Sequence, residues 1–280
     1  MSNPDRDTTD MAHEPFYMTP EDSILIYEGV SMNATQTKLL SMYKDVAYAL
    51  DSCDIRYYIG YGTAIGAVRH NGFIPWDDDI DILVWEEDLP RIETAFSEKL
   101  DPNKYYYHKS KADSHPHVIL KEGDFRQSLK NRTAPFIDIF PLVKYPDKKF
   151  RKVLSDITVM GMQIMITAID LINSRLIYKC ARWTIPILKK ISEMICNDDT
   201  KTVTVLTTTF FREICSAKYF SEPIMHTFED TEAPLPNQYD RLLRDFYGNY
   251  MEIPPEEKRT GASGYPCCIY FDYLEDNSQH

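Results

Sequence analysis

The sequence lacks the cysteine arrangements that mark a zinc site. Its 280 residues include six cysteines, with no CxxC pair and no histidine nearby at the spacing of zinc ligands. We therefore interpret all six as reduced thiols: Cys53, Cys180, Cys196, Cys215, Cys267 and Cys268.

Basic residues are also scarce. The chain has 31 lysines and arginines against 43 aspartates and glutamates, which gives a formal net charge of −12. Because affinity for nucleic acid depends on Lys and Arg neutralising phosphates, this balance argues against a nucleic-acid partner. An acidic excess is more typical of a protein that binds cations.

Neither a signal peptide nor a long apolar run is evident. Residues 1–20 are polar, without an apolar run behind basic residues, so we expect a cytoplasmic protein with a flexible segment at 1–30. The longest apolar region, ITVMGMQIMITAIDLI (157–172), is 16 residues long and is broken by Gln163 and Asp170. It is shorter than the ~20 apolar residues that a spanning helix needs.

The composition changes between residues 144 and 190. This window holds ten basic residues and three acidic ones around the apolar region. We predict a helical subdomain here, with two interpretations that stay open. The apolar residues either form a buried core, or they dock on an anionic membrane surface, which would place the protein at the inner face of the cell membrane.

Apolar spacing predicts the elements that precede this window. Amphipathic periodicity predicts a helix over 35–50, and Asp88 with Pro90 predicts the start of another that runs toward Leu100. A two-turn helix is expected at 64–70. The predicted strands are 55–60, 80–85, 105–108, 118–121 and 136–140.

The stretch GFIPWDDDIDILVW (72–85) pairs two carboxylates on one strand. Alternate residues of a strand share a face, so Asp79 and Asp81 point one way while Ile80 and Ile82 point toward the core. Their Cα atoms would lie roughly 6–7 Å apart, and two ionised carboxylates so placed repel unless a cation lies between them. Oxygen ligands of this kind select Mg²⁺ or Mn²⁺.

Two further segments complete the candidate site. FIDIF (136–140) places Asp138 between apolar neighbours on another strand, as a third carboxylate for the metal. YIGYGTAIG (58–66) ends a strand at Gly62 and Thr63 and then begins a helix, whose N-terminal N–H groups favour a phosphate.

Several other side chains have a functional and a structural interpretation, and both stay open. Arg69 and His70 either grip the donor phosphate or cap the surface end of a helix. Trp76 either packs the acidic loop, or stacks on a base or a quaternary ammonium. Lys121 and Arg132 either neutralise a diphosphate or lie on a solvated face.

Four neighbours of these residues are harder to assign. Asp77 and Asp78 either cap the strand or reach the metal through water, and we favour a structural role for Asp78. His115 and His117 flank a proline without a third ligand nearby in sequence, so we interpret them as ordinary polar residues.

Three blocks of the sequence resemble one family. GTAIGAVRHNGFIPWDDDIDI (62–82), FIDIFPL (136–142) and LLRDFYGNYMEIPPEEKR (242–259) are similar to the LicD family, phosphocholine transferases of the nucleotidyltransferase superfamily that include fukutin-related proteins. The resemblance implies an α+β fold, in which helices flank a mixed nucleotidyltransferase-like β-sheet and a helical subdomain is added. It divides the chain into a catalytic core at 31–145, a helical and C-terminal part at 146–260, and a tail at 261–280.

The resemblance also implies an activity. A Mg²⁺-dependent phosphotransferase would move phosphocholine or a related polyol phosphate from a CDP-alcohol, such as CDP-choline, to a hydroxyl of a cell-surface glycan such as lipopolysaccharide, either free or lipid-linked. Asp79 and Asp81 would hold the metal, and Asp138 would be a third ligand or the base that accepts the hydroxyl proton.

Two departures and two alternatives accompany this prediction. The segment RTGASGYPCC (259–268) lacks the histidine expected after the third block, and the cysteine-rich zinc insertion of fukutin-related proteins has no counterpart. The resemblance therefore implies no zinc. The alternatives are a nucleotidyltransferase that transfers the nucleotide itself, and a catalytically inactive binding module.

Overall fold

The structure is a computed structural model that describes residues 32–196, 200–205, 213–259, 261 and 264–277. The flexible segment predicted at 1–30 lies outside the described residues. Within these ranges the helices are α1 (Ala34–Asp51), α2 (Tyr61–His70), α3 (Leu89–Lys99), α4 (Phe125–Asn131), α5 (Lys149–Ile172), α6 (Arg175–Ile195), α7 (Tyr239–Tyr247) and α8 (Cys268–Asp276). The strands are β1 (Tyr57–Ile59), β2 (Ile80–Trp85), β3 (Tyr105–His108), β4 (His117–Leu120), β5 (Phe136–Tyr145), β6 (Thr202–Val205), β7 (Ile214–Ser216), β8 (Ile224–Phe228) and β9 (Thr231–Leu235).

Seven of these strands form one mixed sheet, in the order β1-β2-β5-β4-β3, with β6 added to β5 and β7 added to β6. Strands β2 and β5 run parallel, whereas the other pairs of this sheet are antiparallel. β8 and β9 form a separate hairpin. The predicted fold class, α+β with a mixed sheet flanked by helices and a helical addition, is confirmed.

The two faces of the central strands differ in chemistry. Ile80 and Ile82 are fully buried on the face that α1, α2 and α3 cover. Each such side chain stabilises the fold by roughly 1.5–3 kcal/mol. Because side chains alternate along a strand, Asp81 lies on the opposite face, and so does Asp138 on β5. The apolar core on one face thus fixes where the acidic residues point on the other.

Helix α1 anchors the acidic loop as well as the core. Asn33 and Gln36 form a reciprocal capping box at its N-terminus. The buried Gln36 amide also donates to the carbonyl oxygens of Ile74 and Asp77, both at 3.1 Å. The loop that precedes β2 is therefore tied to the end of a packed helix.

The predicted helical region is a pair of packed helices, α5 and α6. The 16-residue apolar run lies within a 24-residue helix, Lys149–Ile172, which by length and composition alone is long and apolar enough to cross a membrane. Only 39% of its most apolar window is buried. After α6 the chain returns to the main sheet as β6 and β7, so the predicted boundary near residue 145 stays a prediction.

The C-terminal helix α8 lies within the predicted tail and packs against α4, α5 and α6. The Tyr178 hydroxyl donates to Asp272 at 2.6 Å, and Arg182 pairs with Glu275. These contacts fix α8 beside the helical pair.

Candidate active site

The start of α2 and the start of β2 are joined by two hydrogen bonds. The Gly60 N–H donates to the Asp81 carbonyl at 3.0 Å, and the Asp81 N–H donates to the Thr63 hydroxyl oxygen at 2.9 Å. Gly62 and Thr63 lie in the first turn of α2, so the prediction that they end the strand and precede the helix is wrong. A Cβ atom at Gly62 would lie 2.8 Å from Asp77 Oδ2. Gly62 and Thr63 therefore position the acids directly, while their predicted contact with a phosphate stays a prediction.

Parallel pairing of β2 and β5 brings the three predicted carboxylates together. Asp81 lies opposite Asp138 in the strand register, and Asp79 precedes β2 by one residue. Each of the three offers a carboxylate oxygen within 4.8 Å of the other two. This is the shared pocket that the sequence predicted.

Burial and mutual repulsion disfavour the ionised forms of the clustered carboxylates. Burial, and then the neighbouring Asp77 and Asp138 carboxylates, raise the pKa of Asp79 to about 8. The pKa of Asp81 is raised well above its usual range by burial and by Asp79. Burial and Asp78 raise the pKa of Asp77 to about 6. A bound cation would relieve this repulsion, because opposite charge favours the ionised carboxylates.

Two histidines, which the sequence interpretation had treated as ordinary polar residues, contact the third carboxylate. His117 lies opposite Asp138 in the β4–β5 register, with its Nε2 3.0 Å from Asp138 Oδ1. His115 Nε2 lies 3.4 Å from the same oxygen. Burial alone would raise the pKa of Asp138, but the two imidazoles outweigh it and hold the pKa below its ordinary value.

The donor set fits a hard divalent cation. All three candidate ligands are carboxylates, which Mg²⁺ and Mn²⁺ prefer. Asp138 Oδ1 is buried beside the His115 and His117 imidazoles, which favour the ionised carboxylate that a metal needs. Asp79, Asp81 and Asp138 are therefore the residues that would hold one.

Arg69 and His70 are hydrogen-bonded to each other, and Arg69 also bonds to the segment after α7. The buried Arg69 guanidinium donates to the carbonyl oxygens of Tyr250 (2.7 Å) and Glu252 (3.2 Å) and to His70 Nε2 (2.9 Å). Burial and Arg69 lower the pKa of His70 to about 4, which makes it neutral at physiological pH. These contacts hold the segment after α7 against α2.

The remaining predicted binding residues contact other groups. Trp76 is half-buried beneath the Arg259 guanidinium, 4.8 Å from the ring centroid. The Lys121 ammonium donates to the Pro102 carbonyl at 2.7 Å, and Arg132 lies 3.8 Å from Asp170. The structure does not bring Lys121 or Arg132 into contact with the three carboxylates, and their binding roles stay predictions.

One residue near the carboxylates was missed by the sequence interpretation. Tyr247, at the end of α7, has its pKa raised by burial and then by nearby carboxylates that include Glu213, Asp81 and Asp77. Its side chain is nevertheless 42% exposed. The only sequence signal was its place in the third LicD-like block, LLRDFYGNYMEIPPEEKR.

Comparisons with known proteins agree with this geometry. Residues 54–163 match the family described as LicD/FKTN/FKRP, nucleotidyltransferase domain. The chain is 26% identical over 227 residues to the lipopolysaccharide cholinephosphotransferase LicD of Haemophilus influenzae, covering 72% of this chain and 84% of that protein. An uncharacterized protein of Rickettsia typhi is 31% identical over 48% of this chain and 47% of its own length.

A eukaryotic relative matches a shorter segment. The ribitol 5-phosphate transferase FKRP of Homo sapiens is 38% identical over 48 residues, which is 17% of this chain and 10% of that protein. Both named relatives are phosphotransferases by name, and the expectation of a LicD-type phosphotransferase is confirmed at that level. The acidic cluster lies inside the matched segment 54–163, and these matches together support membership of this chain in the LicD family.

Proposed function

We propose that this chain transfers a phospho-alcohol, phosphocholine or a related polyol phosphate, from a CDP-activated donor to a hydroxyl of a cell-surface glycan, and that it requires Mg²⁺ or Mn²⁺. The observation that carries the proposal is the convergence of Asp79, Asp81 and Asp138, each with a carboxylate oxygen within 4.8 Å of the other two. The relatives' names supply the class of transferred group.

The chain's own residues have distinct roles in this proposal. Asp79 and Asp81 hold the metal, which when bound offsets the charge of a diphosphate and of the departing CMP. Asp138 is either a third ligand or the base for the acceptor hydroxyl, and its contacts with His115 and His117 favour the ionised form that both roles need. Thr63 holds the backbone of Asp81 in place.

The relatives leave the transferred alcohol open between two classes. The Haemophilus influenzae relative is named for choline phosphate and lipopolysaccharide, and the human relative for ribitol 5-phosphate. In this chain, Tyr247 is 42% exposed near the carboxylates, and its ring would favour a quaternary ammonium by cation–π attraction. We therefore propose choline as the first alcohol to test.

The acceptor in this proposal is a glycan that is free or lipid-linked, and the protein is cytoplasmic and peripheral to the membrane. The outward face of α5 supports this, because its exposed residues recur at helical spacing and are apolar: Phe150, Val153, Leu154, Ile157, Met160, Ile164 and Leu171. An exposed stripe on α6 continues it with Leu176, Trp183, Ile187, Ile191 and Met194. Exposed lysines and arginines of the same helices favour anionic lipid: Lys149, Arg175, Lys179 and Lys190.

The reaction is tested with purified full-length protein, Mg²⁺, a lipopolysaccharide acceptor and a panel of labelled CDP-alcohols, CTP and ATP. The proposal expects CMP release that matches transfer of the alcohol phosphate to the acceptor. Transfer of a nucleotide with release of pyrophosphate would identify a nucleotidyltransferase instead. Absence of any Mg²⁺-dependent nucleotide binding by calorimetry would identify an inactive binding module.

A further inference from the structure

A second cluster of potential metal ligands lies next to Asp138 and is formed by β3, β4 and the segment between them. Its members are His108, Asp113 and His117, and the Cys268 thiol of α8 contacts Asp113. His108, Asp113 and His117 each offer one ligand atom within 4.8 Å of the other two. The four side chains are between 0 and 3% exposed, so this cluster is part of the interior.

The imidazoles have nitrogen atoms that the protein leaves without a hydrogen bond. His108 Nδ1 and His117 Nδ1 are buried, and neither has a hydrogen-bond partner among the described residues. A buried ring nitrogen without a partner is costly unless water or an ion completes it. Two such atoms beside one buried carboxylate indicate a missing ligand.

The second nitrogen of each ring is held in the manner typical of metal-binding histidines. His108 Nε2 lies 3.0 Å from Asp272 Oδ2, and His117 Nε2 lies 3.0 Å from Asp138 Oδ1. A ligating histidine usually directs its other ring nitrogen at a carboxylate, which fixes the tautomer and makes the ligand more basic. Both imidazoles are thus oriented with Nδ1 as the metal-facing atom.

The distance between Asp113 and His117 is close to that between two zinc ligands. Asp113 Oδ1 accepts from the Ser114 N–H at 2.6 Å, which leaves Oδ2 3.6 Å from His117 Nδ1. Zinc bonds of about 2.0 Å to nitrogen or oxygen put tetrahedral ligand atoms roughly 3.3 Å apart. The Cys268 thiol donates to Asp113 Oδ2 at 3.7 Å, but it does not lie within 4.8 Å of the imidazoles as well, so it neighbours the ligand set without belonging to it.

We propose that His108, Asp113 and His117 bind one structural transition-metal ion, zinc in the first place. Imidazole ligands select zinc over Mg²⁺, so this ion is distinct in chemistry from the one at the three carboxylates. The site joins β3, β4 and the segment between them and, through His117, orients Asp138. It does not depend on the proposed function, and it involves none of the cysteine-rich insertion of fukutin-related proteins.

A protonated His117 shared by two carboxylates is the structural alternative. It would place positive charge between Asp113 and Asp138 without a metal. That arrangement leaves His108 Nδ1 without a partner among the described residues. The metal site accounts for the three side chains together.

Metal content of the purified full-length chain tests the proposal. Wild-type protein prepared without chelators, or dialysed against zinc and then against metal-free buffer, is expected to retain about one zinc per chain by mass spectrometry. His108→Gln and Asp113→Asn are expected to lose most of it. Cys267→Ser is the control, because that thiol donates to the Ile169 carbonyl, and Asp79→Asn should also keep its zinc.

Cobalt spectroscopy keeps the test decisive if a variant fails to fold. Co²⁺ bound to metal-free wild-type protein should show the intense visible bands of tetrahedral coordination. Zinc below about one tenth of an equivalent with no tetrahedral cobalt spectrum would overturn the proposal. So would zinc content that is unchanged in both ligand variants.

Discussion

At the residue scale, the carboxylate pocket combines burial with like charge. Asp81 and Asp138 face each other across two parallel strands, and Asp79 lies beside them. Without a cation, the protein resolves this conflict by raising the pKa of Asp79 and Asp81. A pocket that destabilises its own ionised form is suited to capture a divalent ion, because the ion supplies the missing opposite charge.

The first prediction concerns removal of one charge. Asp81→Asn should lower the rate of alcohol-phosphate transfer by a factor on the order of 10³, since metal stabilisation of a phosphoryl transition state contributes several kcal/mol. Without metal, the variant should be at least as stable as wild type in thermal unfolding, because repulsion is relieved. Loss of folding in step with loss of activity would contradict the metal-binding role.

The second prediction concerns pH. The pKa of Asp79 in the folded chain, about 8, lies above its ordinary value of 3.8. The folded state therefore binds more protons than the unfolded state between these values, and the free energy of unfolding of the metal-free protein falls as pH rises through that window. Urea unfolding should show a loss of roughly 1–3 kcal/mol. The loss should be smaller in Asp79→Asn and in wild type with Mg²⁺; equal slopes in all three samples would refute this account.

At the element scale, the first turn of α2, which contains Gly62 and Thr63, is hydrogen-bonded to the neighbouring strand β2. The sequence predicted that Gly62 and Thr63 meet a phosphate, whereas the structure shows Thr63 accepting from the Asp81 backbone. The hydroxyl thus aligns β2 at the position that presents the carboxylates.

The third prediction follows from this hydrogen bond. Thr63→Val leaves the buried Asp81 N–H without its acceptor, which should destabilise the fold by about 1–3 kcal/mol and weaken metal binding. Thr63→Ser keeps the oxygen and is the matched control, expected to lose much less. Unfolding in urea and Mn²⁺ titration measure both effects; a valine variant as stable as the serine variant would show that the bond is unimportant.

The sequence predicted which side chains of a strand point away from the core, but not which strands pair with each other. Alternation around Asp79, Asp81 and Asp138 predicted which side chains leave the core, because a strand has a period of two. The pairing of β4 with β5 is a long-range choice that no local pattern encodes. The contacts of His115 and His117 with Asp138 were therefore missed.

The same limit applies to the C-terminal part of the chain. Cys268 lies 155 residues from Asp113 in sequence, and the two meet only because α8 packs against the helical pair. Spacing rules relate residues that are close in sequence, and this contact joins distant elements. The strands from β6 to β9 were likewise not predicted.

At the scale of the whole molecule, charge and apolar surface are unevenly distributed. The chain is acidic overall, yet the α5–α6 pair carries exposed lysines and arginines beside an exposed apolar face. This uneven distribution would place the α5–α6 side of the protein on an anionic bilayer, where a lipid-linked glycan is accessible.

The fourth prediction tests that surface. Trp183 on α6 is 78% exposed, and Trp183→Ser should weaken binding to anionic vesicles by roughly tenfold, since a buried large apolar side chain contributes about 1.5–3 kcal/mol. Tyr48→Ser on α1 is the matched control, because that exposed ring lies outside the helical pair. Sedimentation with phosphatidylserine vesicles measures the binding of both variants. Wild-type protein that does not bind the vesicles would refute the docking surface.

The proposed function requires that the Asp79, Asp81 and Asp138 carboxylates bind a divalent ion, which in turn contacts an activated diphosphate. Crystals grown with Mn²⁺ and CDP-choline, examined by anomalous scattering at the manganese edge, test it most directly. The account predicts a manganese peak at about 2.2 Å from oxygens of Asp79 and Asp81, next to the diphosphate. A diphosphate bound elsewhere, or a pocket without manganese at saturating concentration, would contradict it.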